Sequence, residues 1–161
     1  MKMAADRANA FEHSIVVAAP AERVMAAFFD ADALAAWWKT VRSVTTPRSL
    51  GVYAVEWAPT ADADDIFGRL GGVFHGTVIE YVPASELLVA DAWWLPPDSD
   101  PIGPMSLHVT CHLEGDACHL RVRQGGFEAS ERWRRYHQVI AHGWATSLAA
   151  LKEYVEARNR G

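Results

Sequence analysis

Three histidines lie close together in this chain, and imidazole is the commonest protein ligand for a metal ion. His108, His112 and His119 flank Glu114-Gly115-Asp116-Ala117, a two-residue Gly-Asp turn of the kind that closes a tight hairpin. Pairing Glu114 with Ala117 sets Leu113 beside Cys118, His112 beside His119, Cys111 beside Leu120 and Val109 beside Val122. The pairs then alternate between apolar and polar, the polar ones being His112/His119, Thr110/Arg121 and His108/Arg123, so register and burial agree. His112 and His119 would stand about 5 Å apart at Cβ, near enough to share zinc with a carboxylate such as Glu114. Their face is the polar one, however, and a structural zinc site wants a fourth ligand that the chain does not offer there. The expectation is a solvated outer face and no metal. The two cysteines, Cys111 and Cys118, share the inner face as a diagonal pair, too far apart for a disulfide. They are expected to be buried free thiols.

Catalytic signatures are missing. The chain has no nucleophile elbow, no phosphate-cradling glycine loop ahead of a helix, no HExxH and no Cys-x-x-Cys. Gly71-Gly72 follows a loop and opens a strand, which reads as a turn. The groups left for chemistry are His137, His75, Asp91 and Arg69. His137 falls on an apolar helical stripe, where a hydrogen-bonded core histidine is the ordinary reading. Alternation puts Asp91 on the face of Leu87, Val89 and Trp93, and both faces of that strand are apolar, so either one can look inward. If Asp91 faces the same interior as His137, the two would make an acid/base pair. The seven tryptophans are the stronger lead. A filled core prefers Leu, Ile and Val, whereas a ligand cavity tends to be aromatic with a few polar groups.

The elements that must position these residues follow from pattern. Phe11 to Ala18 reads as a strand. Pro20 opens a short helix with Val24 and Phe28 on one face, and Asp30 caps a second that runs to about Trp38. Val41–Thr46, Gly51–Trp57, Gly72–Val82, Leu87–Leu95, Met105–Glu114 and Ala117–Gln124 read as strands. The breaks 58–70 and 96–104 are long enough to be rims of a site. Ser130 caps a helix from Glu131 to about Arg158, with Trp133, Tyr136, His137, Ile140, Trp144, Leu148, Leu151, Tyr154 and Val155 on one stripe. A chain that starts a sheet, leaves it through two short helices and returns is implied. At 161 residues, half of them hydrophobic and 22% charged, one globular domain over 1–161 is expected. A formal charge of −5 and a pI near 5.8 argue against nucleic acid or an anionic membrane as partner. Met1 to Arg7 has no apolar signal-peptide core, and no apolar run approaches the roughly 18 residues a membrane span needs. A cytoplasmic protein is expected.

Several stretches carry a family likeness. Ile15-Val-Val-Ala-Ala-Pro20-Ala-Glu22-Arg-Val24 with Leu34-Ala-Ala-Trp37-Trp38 resembles the opening of the START-like, polyketide-cyclase-like (SRPBCC) superfamily. Gly51-Val-Tyr53, Gly76-Thr-Val78-Ile-Glu80-Tyr-Val-Pro83 with Leu87-Leu88, and His142-Gly143-Trp144 with Leu148, Leu151 and Tyr154 are most similar to one branch of it. That branch is named after the ATPase activator of the ninety-kilodalton heat-shock chaperone. The likeness spans essentially the whole chain. It implies an α+β helix-grip fold: a curved antiparallel sheet of about seven strands wrapped around the C-terminal helix, with a cavity between them. One departure is Asp91, where the branch often carries an aromatic residue.

The reading that results is a binder of a small, largely hydrophobic or aromatic molecule. Trp37, Trp57, Trp93, Trp133, Tyr136, Ile140 and Trp144 would form the walls, with His137 and in second place Asp91 for polar orientation. No cofactor is expected, and a homodimer is admitted. Two rivals stand beside it. By the same resemblance, a cyclase, aromatase or dehydratase would use the cavity with His137 or Asp91. A chaperone-associated or other interaction module would instead expose an apolar patch.

Overall fold

The first strand, β1 (Ala10–Val17), ends where Pro20 begins a helix, and this early exit sets the topology. Residues 9–160 are described by a computed structural model; the expectation drawn from Met1 to Arg7 lies outside them. The Pro20 carbonyl accepts from the Arg23 and Val24 N–H groups and starts α1 (Ala21–Ala26). Asp30 then caps α2 (Ala31–Trp37), its carboxylate accepting from the Ala33 N–H at 2.9 Å. These two turns carry the chain away from β1, and it re-enters the sheet at the opposite edge.

Six strands complete that sheet: β2 (Arg42–Thr45), β3 (Val52–Trp57), β6 (Gly72–Val82), β7 (Glu86–Leu95), β8 (Ile102–Glu114) and β9 (Ala117–Gly125). Two-residue strands β4 (Ala63–Asp64) and β5 (Gly68–Arg69) form a separate small hairpin inside the 58–70 segment, which the sequence reads only as a loop. The large sheet runs β1-β9-β8-β7-β6-β3-β2, antiparallel at every pairing. Its last hairpin has the predicted register, with Glu114 opposite Ala117, His112 opposite His119 and Cys111 opposite Leu120. Cys111 and Cys118 are free and buried. The hairpin tip runs past β7, whose last partner on β8 is Thr110, so Leu113 is 69% exposed rather than buried.

Strand β7 departs from simple alternation. A bulge falls between Val89 and Ala92, with Asp91 in the left-handed region at φ 50°. It lies near Gly76, where an added Cβ would stand 2.7 Å from Val89 Cγ1, so the missing side chain lets the strands close there. Before the bulge Leu87 and Val89 point inward; after it Ala92 and Trp94 do.

Helix α3 (Glu131–Arg160) is 30 residues long, about 45 Å at the usual rise. The Ser130 hydroxyl accepts from the Trp133 N–H at 3.2 Å. Trp133, Tyr136, Trp144, Leu148, Leu151 and Val155 form its buried stripe. Side chains of α3 also close the free edge of β1. Lys152 Nζ donates to the Val16 carbonyl at 2.8 Å, and Glu156 accepts the Ala18 N–H at 2.8 Å. This is the helix-grip arrangement, and what the grip leaves unfilled is the candidate site. No helix among the described residues is long and apolar enough to cross a membrane.

Candidate ligand cavity

Toward the N-terminal half of α3 the sheet and helix separate and enclose a cleft of about 560 Å³. Trp57 of β3, Phe74 of β6, Trp94 of β7 and Gln124 of β9 form the sheet side. Tyr136, Val139, Ile140, Gly143, Trp144 and Ser147 form the helix side, and Trp38 with Lys39 follows the end of α2. The ends of the 58–70 segment rim the mouth through Ala58, Pro59, Thr60 and Leu70, as expected of that loop. The 96–104 segment does not line it.

Three of the lining indoles have their N–H groups engaged by protein acceptors. Trp57 Nε1 donates to the Trp38 carbonyl at 2.9 Å and Trp94 Nε1 to the Gly71 carbonyl at 2.7 Å. Trp144 Nε1 donates to Gln124 Oε1 at 2.6 Å. Trp38 sits among them, 5.2 Å from Trp57 and 4.9 Å from Trp144 between ring centroids. With their N–H groups tied back, Trp57, Trp94 and Trp144 offer apolar surface to the cleft. Gly71, at φ 98°, carries the chain past Ala58, whose carbonyl oxygen would be 2.4 Å from any Cβ there.

Lys39, Thr60 and Ser147 add polar groups to the lining, and a hydrogen-bonded polar cluster sits at the inner end. Gln124 is 3% exposed. Its Nε2 donates to Tyr136 Oη at 3.0 Å and to Met105 Sδ at 3.3 Å, while its Oε1 takes the Trp144 N–H. Burial raises the Tyr136 hydroxyl well above the ordinary tyrosine range, against a smaller opposing pull from Gln124. Tyr136 is therefore a neutral phenol throughout the physiological range.

The rim is clasped from outside the cleft. Asp64, its side chain 2% exposed, accepts from the Ile66 and Phe67 N–H groups and from Arg135 Nε at 2.7 Å. The Arg135 hydrogen bond holds its carboxyl below the usual carboxylate range. On the other side Arg69 makes a two-pronged pair with Asp98, which draws the Asp98 pKa down to about 2.

Of the residues picked from sequence, Trp57, Tyr136, Ile140 and Trp144 meet at this cleft, and the others lie elsewhere. Trp37 is fully buried behind it, stacked on Trp38 at 4.9 Å and donating to the Ala27 carbonyl. Trp133 packs on Phe127 at 5.2 Å. His137 turns away from the cleft to β1, its Nε2 3.2 Å from the Ala10 carbonyl oxygen, with Phe11 and Phe127 edge-on to its ring. Asp91 is exposed on the β7 bulge, and Trp93 lies on the outer face beside Gly103. The bulge is the physical reason: it exchanges Trp93 for Trp94 on the inner face and turns Asp91 to solvent. His137 and Asp91 are thus not brought together. On the outer face His108 Nε2 lies 2.6 Å from Glu86 Oε2, and no group of three or more metal-ligating side chains gathers among the described residues.

Sequence reasoning passed over Trp38, Phe74, Trp94 and Gln124. Gln124 carried a usable signal, being the one polar residue that continues the inward series Cys118, Leu120, Val122. Trp94 carried none without the bulge.

A long helix held against a seven-stranded antiparallel sheet, with an aromatic cleft between them, defines a helix-grip domain. The chain belongs to the family described as Activator of Hsp90 ATPase homolog 1-like protein, whose model matches residues 18–156. Among solved structures, it is similar to protein CV1439 from Chromobacterium violaceum, with 24% identity, a TM-score of 0.66, and 92% of this chain and 98% of that chain covered. The Aha1 dimer from Colwellia psychrerythraea is similar at 15% identity and a TM-score of 0.60, with 91% and 96% covered. DynU16, a protein of the dynemicin biosynthetic locus, is similar at 18% identity and a TM-score of 0.66, with 94% of this chain but 48% of that one covered. At these identities the likeness is one of fold. No curated protein matches the chain.

Proposed function

We propose that the cleft between sheet and helix receives a small, largely hydrophobic or aromatic molecule. The observation that carries this reading is the wall itself. Trp38, Trp57, Phe74, Trp94 and Trp144 surround about 560 Å³, and the N–H groups of Trp57, Trp94 and Trp144 are already engaged by protein acceptors. A space of this size lies within the range of small-molecule sites, which are concave and mostly apolar with a few placed polar groups. Burial of apolar area at about 25 cal/mol per Å² supplies the affinity, less the cost of ordering the ligand. In this reading Trp57, Tyr136, Ile140 and Trp144 are the contact residues retained from sequence, with Trp38, Phe74 and Trp94 added. Trp37 and Trp133 act by supporting them. The enzyme reading loses its two named groups, since His137 serves β1 and Asp91 faces solvent. A homodimer remains part of the proposal, by analogy with the dimer described for the Colwellia relative.

Native mass spectrometry of gently purified protein, followed by tryptophan emission and calorimetric titration with a panel of flat aromatic and fatty ligands, tests it. The expected result is a saturable change with at least one aromatic member. No saturable response by either method from any member would overturn the reading.

A further inference from the structure

The inner end of the cleft can be resolved into donors and acceptors. An indole N–H only donates, so the atom of Gln124 that faces Trp144 at 2.6 Å is the amide oxygen. The amide nitrogen is thereby turned the other way, and its two N–H groups go to Tyr136 Oη at 3.0 Å and Met105 Sδ at 3.3 Å. Tyr136 is the acceptor in that contact. Its own proton is taken up by no hydrogen bond among the described residues. Tyr136 and Gln124 both line the cleft, and the tyrosine is 3% exposed. A buried hydroxyl with an unspent proton beside an apolar space is a directional donor in search of an acceptor.

The acceptor is defined by what else is there. Lys39, at the mouth, is the charged residue among those lining the cleft, and its Nζ donates to the Ala36 carbonyl at 2.7 Å. The inner end therefore has no cation to offset an anion, and a carboxylate buried there would stand unpaired at large cost. An ammonium group, which only donates, would meet a donor. A neutral carbonyl oxygen on a flat ring satisfies the hydroxyl and leaves the aromatic walls their apolar contact.

Resting on the reading of the cleft as a ligand cavity, we propose that the Tyr136 hydroxyl, held in place by Gln124 and Trp144, is the specificity-determining donor for the carbonyl oxygen of a neutral aryl ketone or related ring carbonyl. The ligand would lie with its ring among Trp38, Trp57 and Trp94 and its oxygen toward Tyr136. Gln124 acts through the tyrosine as a positioning residue.

The test uses 1-tetralone and tetralin, which share one bicyclic skeleton and differ by C=O against CH2. Calorimetric affinities of both are measured for the full wild-type chain and for Tyr136→Phe. The preference for 1-tetralone over tetralin should fall roughly tenfold or more in the variant, because the buried carbonyl is left without its donor. In wild type the infrared carbonyl band of bound 1-tetralone should lie below its position in hexane. That measurement stands alone if Tyr136→Phe does not fold. An unchanged preference, a carbonyl band at its hexane position, or no binding of 1-tetralone overturns this inference while leaving the cavity reading in place. No binding by any member of the aromatic panel overturns both.

Discussion

Replacing Gln124 by leucine, which nearly fills the same space, isolates what the polar trio contributes. The substitution removes the acceptor of the Trp144 N–H at 2.6 Å and the donor to Tyr136 at 3.0 Å. A buried donor left without a partner costs roughly 1–3 kcal/mol. Exchanging an amide for an aliphatic group at a site 3% exposed returns part of this through easier desolvation. The net loss should be about 2 kcal/mol, or a fall in Tm of about 4–8 °C for a chain of this size. Trp144→Phe removes the stranded N–H itself. In the double variant neither partner remains, so the combined loss should fall short of the sum by about 1–2 kcal/mol, well outside the roughly 0.3–0.5 kcal/mol expected of independent sites. Urea denaturation of the wild type, both single variants and the double variant measures the cycle, provided the slope m stays constant. Strict additivity would refute the reasoning. It would mean that water from the cleft satisfies the indole once Gln124 is gone, and that the inner end is not dry.

Three further outcomes follow from the same geometry. Leu151 is fully buried on α3 whereas Trp144 presents one face to the cleft, so Leu151→Ala should cost about 3–4 kcal/mol and Trp144→Ala no more than that, despite the larger group deleted; a markedly greater loss for Trp144→Ala in urea melts would argue for tight packing there. The Asp64 pKa is depressed in the folded state, so its stabilising contribution is present above the ordinary carboxylate range and is lost as pH falls below about 4 through the lowered value. Urea midpoints at pH 5, 4 and 3 should therefore drop more steeply for wild type than for Asp64→Asn, and parallel curves would refute the clasp by Arg135. Cys111 and Cys118 are free and buried, so a disulfide reagent should modify them only as fast as the chain opens; rapid labelling of the native protein would contradict this.

Much of the scaffold is legible without coordinates. The Gly115-Asp116 turn and the apolar alternation around it lead to one register, because a slip by one residue would turn every inward side chain to solvent. Asp30 and Ser130 announce their helices, since each supplies an oxygen to an N–H that the helix start leaves unpaired. The stripe from Trp133 to Val155 determines which face of α3 is buried, and with it that Tyr136 and Trp144 lie inside.

Tertiary structure decided the rest, for reasons no local pattern encodes. Period-two alternation puts Asp91 and Trp93 on the face of Leu87 and Val89, which the fold turns inward, and a bulge near Gly76 reverses both and delivers Trp94 instead. His137 sits on the correct stripe, but at the margin of α3 nearest β1, so its ring meets a backbone carbonyl rather than the cleft. Trp37 and Trp38 are adjacent and chemically identical; only the packing of α2 against α3 puts one in the core and the other on the wall. Sequence determined which faces are apolar, because hydrophobic periodicity is local. Which of those apolar residues fill the core and which stand around an empty space depends on distances between elements far apart in the chain, and those exist only once the sheet and helix have closed on each other.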